Sequence, residues 1–119
     1  MNHEICDRYK IDYRAGAERF RGDEDMYGMV LTAFLSDDTF ARAQAAYAAG
    51  DPELLFTVAH ELKGVSGNMS LTELYEASCS LVEYLRVGGR DREKLAELFA
   101  AVETAHERSC GGIRLALAQ

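Results

Sequence analysis

Apolar residues recur at helical spacing, three or four positions apart, through most of this 119-residue chain. No segment alternates between apolar and polar residues for more than a few positions, so the pattern predicts helices and no sheet. The single proline, Pro52, is consistent with long helices, because proline interrupts a helix anywhere beyond its first turn. A chain of this length buries one hydrophobic core, and we expect a single domain spanning residues 1–119.

Glycines and capping residues divide the chain into six predicted helices. In chain order the predicted segments are 12–20, 23–35, 38–47, 51–69, 70–87 and a long last helix from 91 onward. The Asp-Pro-Glu run at 51–53 is a strong start signal, and Ser70 and Glu73 have the spacing of a capping box. We expect Gly111 and Gly112 to bend or fray the last helix. Short connections favour an all-α, antiparallel up-down four-helix bundle with one or two extra N-terminal helices.

The charge and the cysteine pattern exclude several classes of partner and location. Twenty acidic residues oppose thirteen basic ones, and the net charge of -7 would repel nucleic acids and anionic membranes. No apolar stretch approaches the roughly 18 residues that a membrane-spanning helix needs, and the N-terminus has no apolar core of a secretory signal. Cys6, Cys79 and Cys110 are odd in number and form no CxxC pair, so we expect a cytoplasmic protein.

The fourth predicted helix carries a histidine opposite its apolar stripe. The stripe comprises Leu55, Val58, Ala59, Leu62, Val65, Ser66 and Met69. At about 100° per residue, His60 lies roughly 160° from the centre of that stripe, and Gly64 and Gly67 fall on the same outward side. Each glycine inside a helix costs about 0.5–1 kcal/mol relative to alanine. We interpret the two glycines as clearance that lets a partner approach the imidazole.

Two neighbours of the histidine strengthen a functional interpretation. An exposed imidazole titrates near neutrality, and its unprotonated nitrogen is a nucleophile that can attack a phosphoryl group. Lys63, at i+3, can then partly neutralise the charge of that phosphoryl group. Phe56, at i−4, offers a docking partner an apolar contact. Two alternatives stay open at this point: His60 is an ordinary solvated residue, or Gly64 and Gly67 mark an early end of the helix.

The run from His60 to Asn68, His-Glu-Leu-Lys-Gly-Val-Ser-Gly-Asn, resembles the HxLKGxS/A signature of histidine-containing phosphotransfer (HPt) domains. The resemblance extends to 12–23, Tyr27, Phe34, 50–51 and 81–83. It implies a helical bundle that accepts a phosphoryl group on His60 from a receiver-domain aspartate or a hybrid histidine kinase. The same resemblance implies that a response-regulator receiver takes the group, that Lys63 supports it, and that Gly64 leaves room for the receiver.

Two positions depart from the family pattern. Many members have glycine ten residues after the histidine, where this chain has Ser70, and we attribute the difference to the predicted capping box. Some members hold the second imidazole nitrogen with a glutamine 22 residues after the histidine, where this chain has Val82, which cannot hydrogen-bond. Arg86, four residues further on, is expected to add positive charge. The predicted docking residues are Phe56, Gly64, Gly67 and Arg86.

The resemblance implies a phosphocarrier without turnover of its own. The chain has neither a GxxxxGKS/T nor a GxGxxG loop, so we expect no ATP binding. No cofactor is expected here, because the catalytic Mg²⁺ would belong to the receiver. The alternative function is a helical interaction module that binds receivers or kinases without carrying phosphate. We expect a free-standing protein, since Met1 begins a complete bundle, and a monomer, since no second apolar stripe is left uncovered.

No metal site is expected from the remaining histidines. His60 and Glu61 match the start of an HExxH zinc motif, but Gly64 occupies the position of the second histidine. His106 and Cys110 have the i, i+4 spacing of a metal-binding pair, although no further ligands lie nearby in sequence. His3 is expected in a mobile terminus.

Overall fold

The computed structural model describes residues 1–118 and contains seven helices within them. They are α1 (His3–Arg8), α2 (Tyr13–Glu18), α3 (Glu24–Phe34), α4 (Thr39–Ala48), α5 (Pro52–Asn68), α6 (Thr72–Arg86) and α7 (Arg92–Leu117). The all-α fold is therefore confirmed. Five helices begin after an Asn or Asp side chain that accepts a backbone N–H of the first turn: Asn2, Asp12, Asp23, Asp51 and Asp91.

Helices α4–α7 form the bundle, and short connections of three to five residues make consecutive helices antiparallel. α5 packs against α4 and α6, and α6 also packs against α7. Stacked aromatic rings join α4 to α7: the Phe99 ring centroid lies 6.2 Å from that of Phe40 and 4.4 Å from that of Tyr47. In the described residues, none of the helices combines the length and apolar character needed to cross a membrane.

Three helices precede the bundle, and the first of them was not predicted. α1 packs on α7, where the Asn2 backbone N–H donates to the Ala116 carbonyl at 2.9 Å. The expectation that His3 lies in a mobile terminus is wrong, because its Nε2 is 2.6 Å from Glu24 Oε1 and its ring stacks on Tyr13 at 3.9 Å. A six-residue helix depends on such tertiary contacts, which sequence periodicity does not report.

Gly111 and Gly112 do not interrupt α7, and one of them permits close packing. α7 continues without a break to Leu117, so the expected fraying at the glycine pair is wrong. A Cβ atom at Gly112 would lie 2.5 Å from the Cβ of Tyr9, at the end of α1. A Cβ atom at Gly111 would meet nothing within 4 Å. Gly112 is therefore the position that lets α1 approach α7.

The predicted capping box at the start of α6 is also wrong. The residue that precedes α6 is Leu71, with no capping hydrogen bond from a side chain, and Glu73 instead pairs with Arg108 at 3.4 Å. Ser70 has a positive φ of 58° in the left-handed region, which costs a non-glycine residue about 1–2 kcal/mol. Glycine would adopt this backbone conformation without that cost.

The two glycines of α7 provide a matched test of this packing. Gly111→Ala should raise the free energy of unfolding by about 0.5–1 kcal/mol, since alanine is the better helix former and the site is open. Gly112→Ala should lower it by about 1–3 kcal/mol, because the new methyl group overlaps Tyr9. Urea unfolding followed by circular dichroism measures both values, and equal stability of the two variants would contradict the packing of α1 on α7.

Candidate functional site

Helix α5 buries one face and presents His60 on the other. The face toward the core holds Leu55, Val58, Ala59, Leu62 and Ser66, each at most 3% exposed. His60 is exposed, as the helical arithmetic predicts. The helix continues through Gly64 and Gly67 to Asn68, so the alternative of an early helix end is wrong. The imidazole therefore stands on a regular helix whose opposite side is anchored in the core.

The imidazole has an aromatic neighbour and makes no hydrogen bond with any residue from 1 to 118. The ring centroid of Phe56 lies 6.2 Å from that of His60, with an angle of 40° between the planes. Val82, where some HPt domains have glutamine, is buried in the core at 2% exposure. The imidazole is therefore exposed, with both ring nitrogens free of hydrogen bonds to residues 1–118 and Phe56 as its aromatic neighbour.

Two cations lie near the histidine, one on α5 and one on α6. Lys63 is half-buried, and no carboxylate within residues 1–118 forms an ion pair with it. Arg86, on α6, places its guanidinium carbon 5.8 Å from the Phe56 ring centroid and also lies 3.7 Å from a carboxylate oxygen of Glu83. Lys63 and Arg86 thus place two cations near His60, although the whole chain is acidic.

The acidic residue next to the histidine is neutralised from α4. The Glu61 carboxylate accepts a hydrogen bond from Arg42, which also contacts Asp38 at 3.4 Å. The hydrogen bond to Glu61 raises the pKa of the Arg42 guanidinium, whereas desolvation opposes the rise. This pairing offsets a negative charge that would otherwise repel a phosphoryl group on the adjacent residue.

The two glycines after the histidine differ in their surroundings. A Cβ atom at Gly64 would meet nothing within 4 Å, so the backbone there is bare and open. A Cβ atom at Gly67 would lie 3.0 Å from the ring of Tyr75, on α6. The clearance interpretation fits the surroundings of Gly64. For Gly67 it requires correction, because this glycine lets an aromatic side chain pack against α5.

A groove of about 460 Å³ begins at the histidine and runs along the C-terminal half of α5. Its lining combines residues of α5, the connection to α6, and the N-terminal segment: Asp12, Arg19, His60, Lys63, Gly64, Ser66, Gly67, Asn68, Ser70, Leu71, Thr72 and Tyr75. Phe56 and Arg86 do not line it. The predicted site residues therefore divide into two groups on either side of His60.

Arg19 is a groove residue that the sequence interpretation missed. Its guanidinium donates to the Gly67 carbonyl at 3.3 Å. The contact exists because the connection between α1 and α2 pairs with the connection between α5 and α6. There, Ile11 forms an isolated bridge with Leu71, and Thr72 donates its hydroxyl to the Lys10 carbonyl at 2.9 Å. No local sequence pattern around Arg19 predicts this pairing.

His106 and Cys110 lie in the aromatic part of the core and not at this groove. The Cys110 Sγ is 3.6 Å from His106 Nε2, and the His106 ring stacks on Phe40 at 4.0 Å. Burial lowers the pKa of His106 and raises that of the Cys110 thiol. Across residues 1–118, no three His, Cys, Asp or Glu side chains are grouped so that they could hold a metal ion.

Comparison with known proteins gives one match. A family model described as "Hpt domain" matches residues 31–112, which include His60 and run from α3 into α7. Searches of curated proteins and of solved structures give no match. The match leaves α1, α2 and most of α3 outside it, together with Arg19.

The two glycines of α5 allow a test of the groove geometry itself. Gly64→Leu should leave the free energy of unfolding unchanged or raise it by up to about 1 kcal/mol, because the site is open and leucine is the better helix former. Gly67→Leu should lower it by about 1–3 kcal/mol through overlap with Tyr75. Thermal and urea unfolding measure both, and a destabilising Gly64→Leu would be inconsistent with an open backbone at that position.

Proposed function

Since this chain belongs to the Hpt domain family, we propose that it is a phosphorelay intermediate whose phosphoryl acceptor is His60. The group would arrive from a receiver-domain aspartate or a kinase and leave for the aspartate of a response-regulator receiver. Hpt domains serve histidine phosphotransfer in two-component signalling and are phosphocarriers rather than enzymes with turnover. The observation that carries the proposal is an exposed imidazole, free of hydrogen bonds to residues 1–118, beside the open backbone of Gly64.

The proposed transfer needs one unprotonated imidazole nitrogen. That nitrogen attacks the phosphorus of the receiver's aspartyl phosphate, the N–P bond forms, and the bond from phosphorus to the aspartate oxygen breaks. The aspartate leaves as a carboxylate. The other nitrogen of His60 keeps its proton, so the phosphorylated ring is cationic until that proton passes to water. The return transfer follows the same steps backwards, with the receiver supplying the Mg²⁺.

Lys63 and the docking residues have separate roles in this proposal. Lys63 follows His60 by nearly one helical turn, so its mobile ammonium can reach the phosphoryl oxygens and offset their charge. Phe56 and Arg86 form an apolar and cationic contact on one side of the histidine. On the other side of the histidine, Gly64 has no side chain, so the receiver can approach until its phosphorus meets the imidazole.

We place this activity in the cytoplasm and in a single copy of the chain. Its three cysteines are free thiols, which is consistent with a reducing compartment. Burial raises the pKa of Cys6 to about 11, so that thiol is unreactive near neutral pH. One copy supplies the acceptor, Lys63 and the groove, and the proposed chemistry requires no second copy.

Phosphotransfer from a panel of phosphorylated receiver domains tests the acceptor directly. Wild-type protein should take up label from at least one receiver, whereas His60→Gln should take up none, because glutamine has no nucleophilic ring nitrogen. His106→Gln serves as the control and should retain label, since the half-buried His106 ring is stacked on Phe40 and does not line the groove. Label that persists in His60→Gln would remove His60 from its role. Binding without any label on the wild type would favour the alternative, an interaction module that does not carry phosphate.

The clearance beside the histidine has its own kinetic consequence. Gly64→Leu should slow transfer at least tenfold, because the new side chain fills the space that the receiver needs, while the fold stays intact. Gly111→Leu, in an open position of α7 away from the groove, is the control and should transfer at the wild-type rate. Rapid-quench kinetics with the best receiver give both rates. An unaltered rate for Gly64→Leu would count against the need for clearance.

A further inference from the structure

The groove beside His60 has a wall that lies outside the matched family segment. Asp12 and Arg19 come from the N-terminal residues, whereas the other lining residues fall within 31–112. Tyr27 ties this segment to the end of α5, because its hydroxyl donates to the Met69 carbonyl at 2.6 Å. The N-terminal helices thus complete the surface on the C-terminal side of the histidine.

Arg19 is a cation held at the rim of this groove. Its side chain is exposed, donates to the Gly67 carbonyl at 3.3 Å, and forms no ion pair with any carboxylate in the described part of the chain. The single carboxylate among the lining residues, Asp12, is already engaged as the cap of α2, where it accepts the Ala15 N–H at 3.1 Å. The positive charge of Arg19 is therefore available to a partner.

Distance separates the role of Arg19 from that of Lys63. Gly67 follows His60 by seven residues, which is about two helical turns and about 10 Å along the axis. A guanidinium that donates to the Gly67 carbonyl is placed about two turns beyond the histidine residue, whereas Lys63 follows it by less than one turn. Arg19 therefore lies at the edge of any protein large enough to cover the histidine and the groove together.

The partner's chemistry follows from the proposed reaction. A receiver that presents an aspartyl phosphate with Mg²⁺ needs one or two carboxylates at that site besides the aspartate, because Mg²⁺ binds to hard oxygen ligands. The face that it turns toward His60 therefore carries acidic side chains. An unpaired arginine beside an acidic face adds attraction and fixes orientation, and charges of this kind determine partner choice more than overall affinity.

We infer that Arg19 is a residue that selects among receivers. When a receiver docks, the Arg19 guanidinium binds a carboxylate of that receiver, and its hydrogen bond to the Gly67 carbonyl is either broken or kept alongside the new contact. This inference rests on the proposed function for the identity of the partner. It assigns to the N-terminal segment a part in choosing among receivers, while His60 and Lys63 handle the phosphoryl group.

The test measures dissociation constants of unphosphorylated receiver domains by fluorescence anisotropy, using the receivers of the transfer panel. Arg19→Gln should weaken binding of the best receiver about fivefold at low ionic strength, and Arg19→Lys should recover part of the loss. Arg14→Gln is the matched control, because Arg14 is an exposed arginine of α2, the helix that Arg19 directly follows, and does not line the groove. Its dissociation constant should stay within twofold of the wild-type value.

Salt and chemical labelling separate this role from a structural one. The difference between Arg19→Gln and wild type should shrink as salt is raised to 0.15 M and beyond, because screening removes an ionic contact, whereas a folding defect would persist. Phosphoramidate, a small phosphoryl donor that needs no receiver, should label His60 equally in both proteins, and the label should decay at the same rate.

The outcomes distinguish the inference from the proposed function. Equal dissociation constants for Arg19→Gln and Arg14→Gln, a loss unchanged by salt, or binding of no receiver by the wild type would each overturn the role of Arg19. A receiver that binds in an Arg19-dependent way but never labels His60 would support the inference about docking and contradict the phosphocarrier proposal.

Discussion

The candidate site depends on the two faces of α5: one face is buried in the core, and the other presents His60 to solvent. Leu55, Val58, Ala59 and Leu62 are buried, so the helix cannot rotate without exposing them to water, and each fully buried leucine or valine side chain contributes about 1.5–3 kcal/mol. That anchoring fixes where His60 points. For the proposed acceptor role, a histidine held outward on a rigid helix needs no lid or pocket of its own, because the proposed receiver would supply the rest of the reaction site.

The open side of the histidine is shaped by contacts that are distant in sequence. The connection at residues 10–12 pairs with the connection at 70–72, and this pairing carries Arg19 to the groove. Two features serve the pairing: Ser70 accepts the left-handed backbone that the turn requires, and Gly112 lets α1 reach α7. The N-terminal segment is thereby part of the groove beside His60, although His60 itself lies in the bundle of α4–α7.

Local sequence patterns predicted the helical bundle and the outward position of His60. They failed where contacts between distant parts of the chain determine the structure. The 3.6-residue period placed His60 opposite the buried stripe, and Asp caps placed most helix starts. α1 was missed because a six-residue helix is stable only against α7. The spacing of Ser70 and Glu73 imitates a capping box, but the backbone turns left-handed there. Arg19 was missed because its position follows from a pairing of two connections, which no periodicity records.

The most direct measurement is the site of phosphorylation after incubation with a phosphorylated receiver. Cleavage after Lys and Arg places the three histidines in different peptides, 1–8, 43–63 and 95–108, so mass spectrometry under mildly alkaline conditions can distinguish them. The account predicts the mass of one phosphoryl group on peptide 43–63, assigned by fragmentation to His60. A phosphoryl group on either of the other peptides, with 43–63 unmodified, would contradict it.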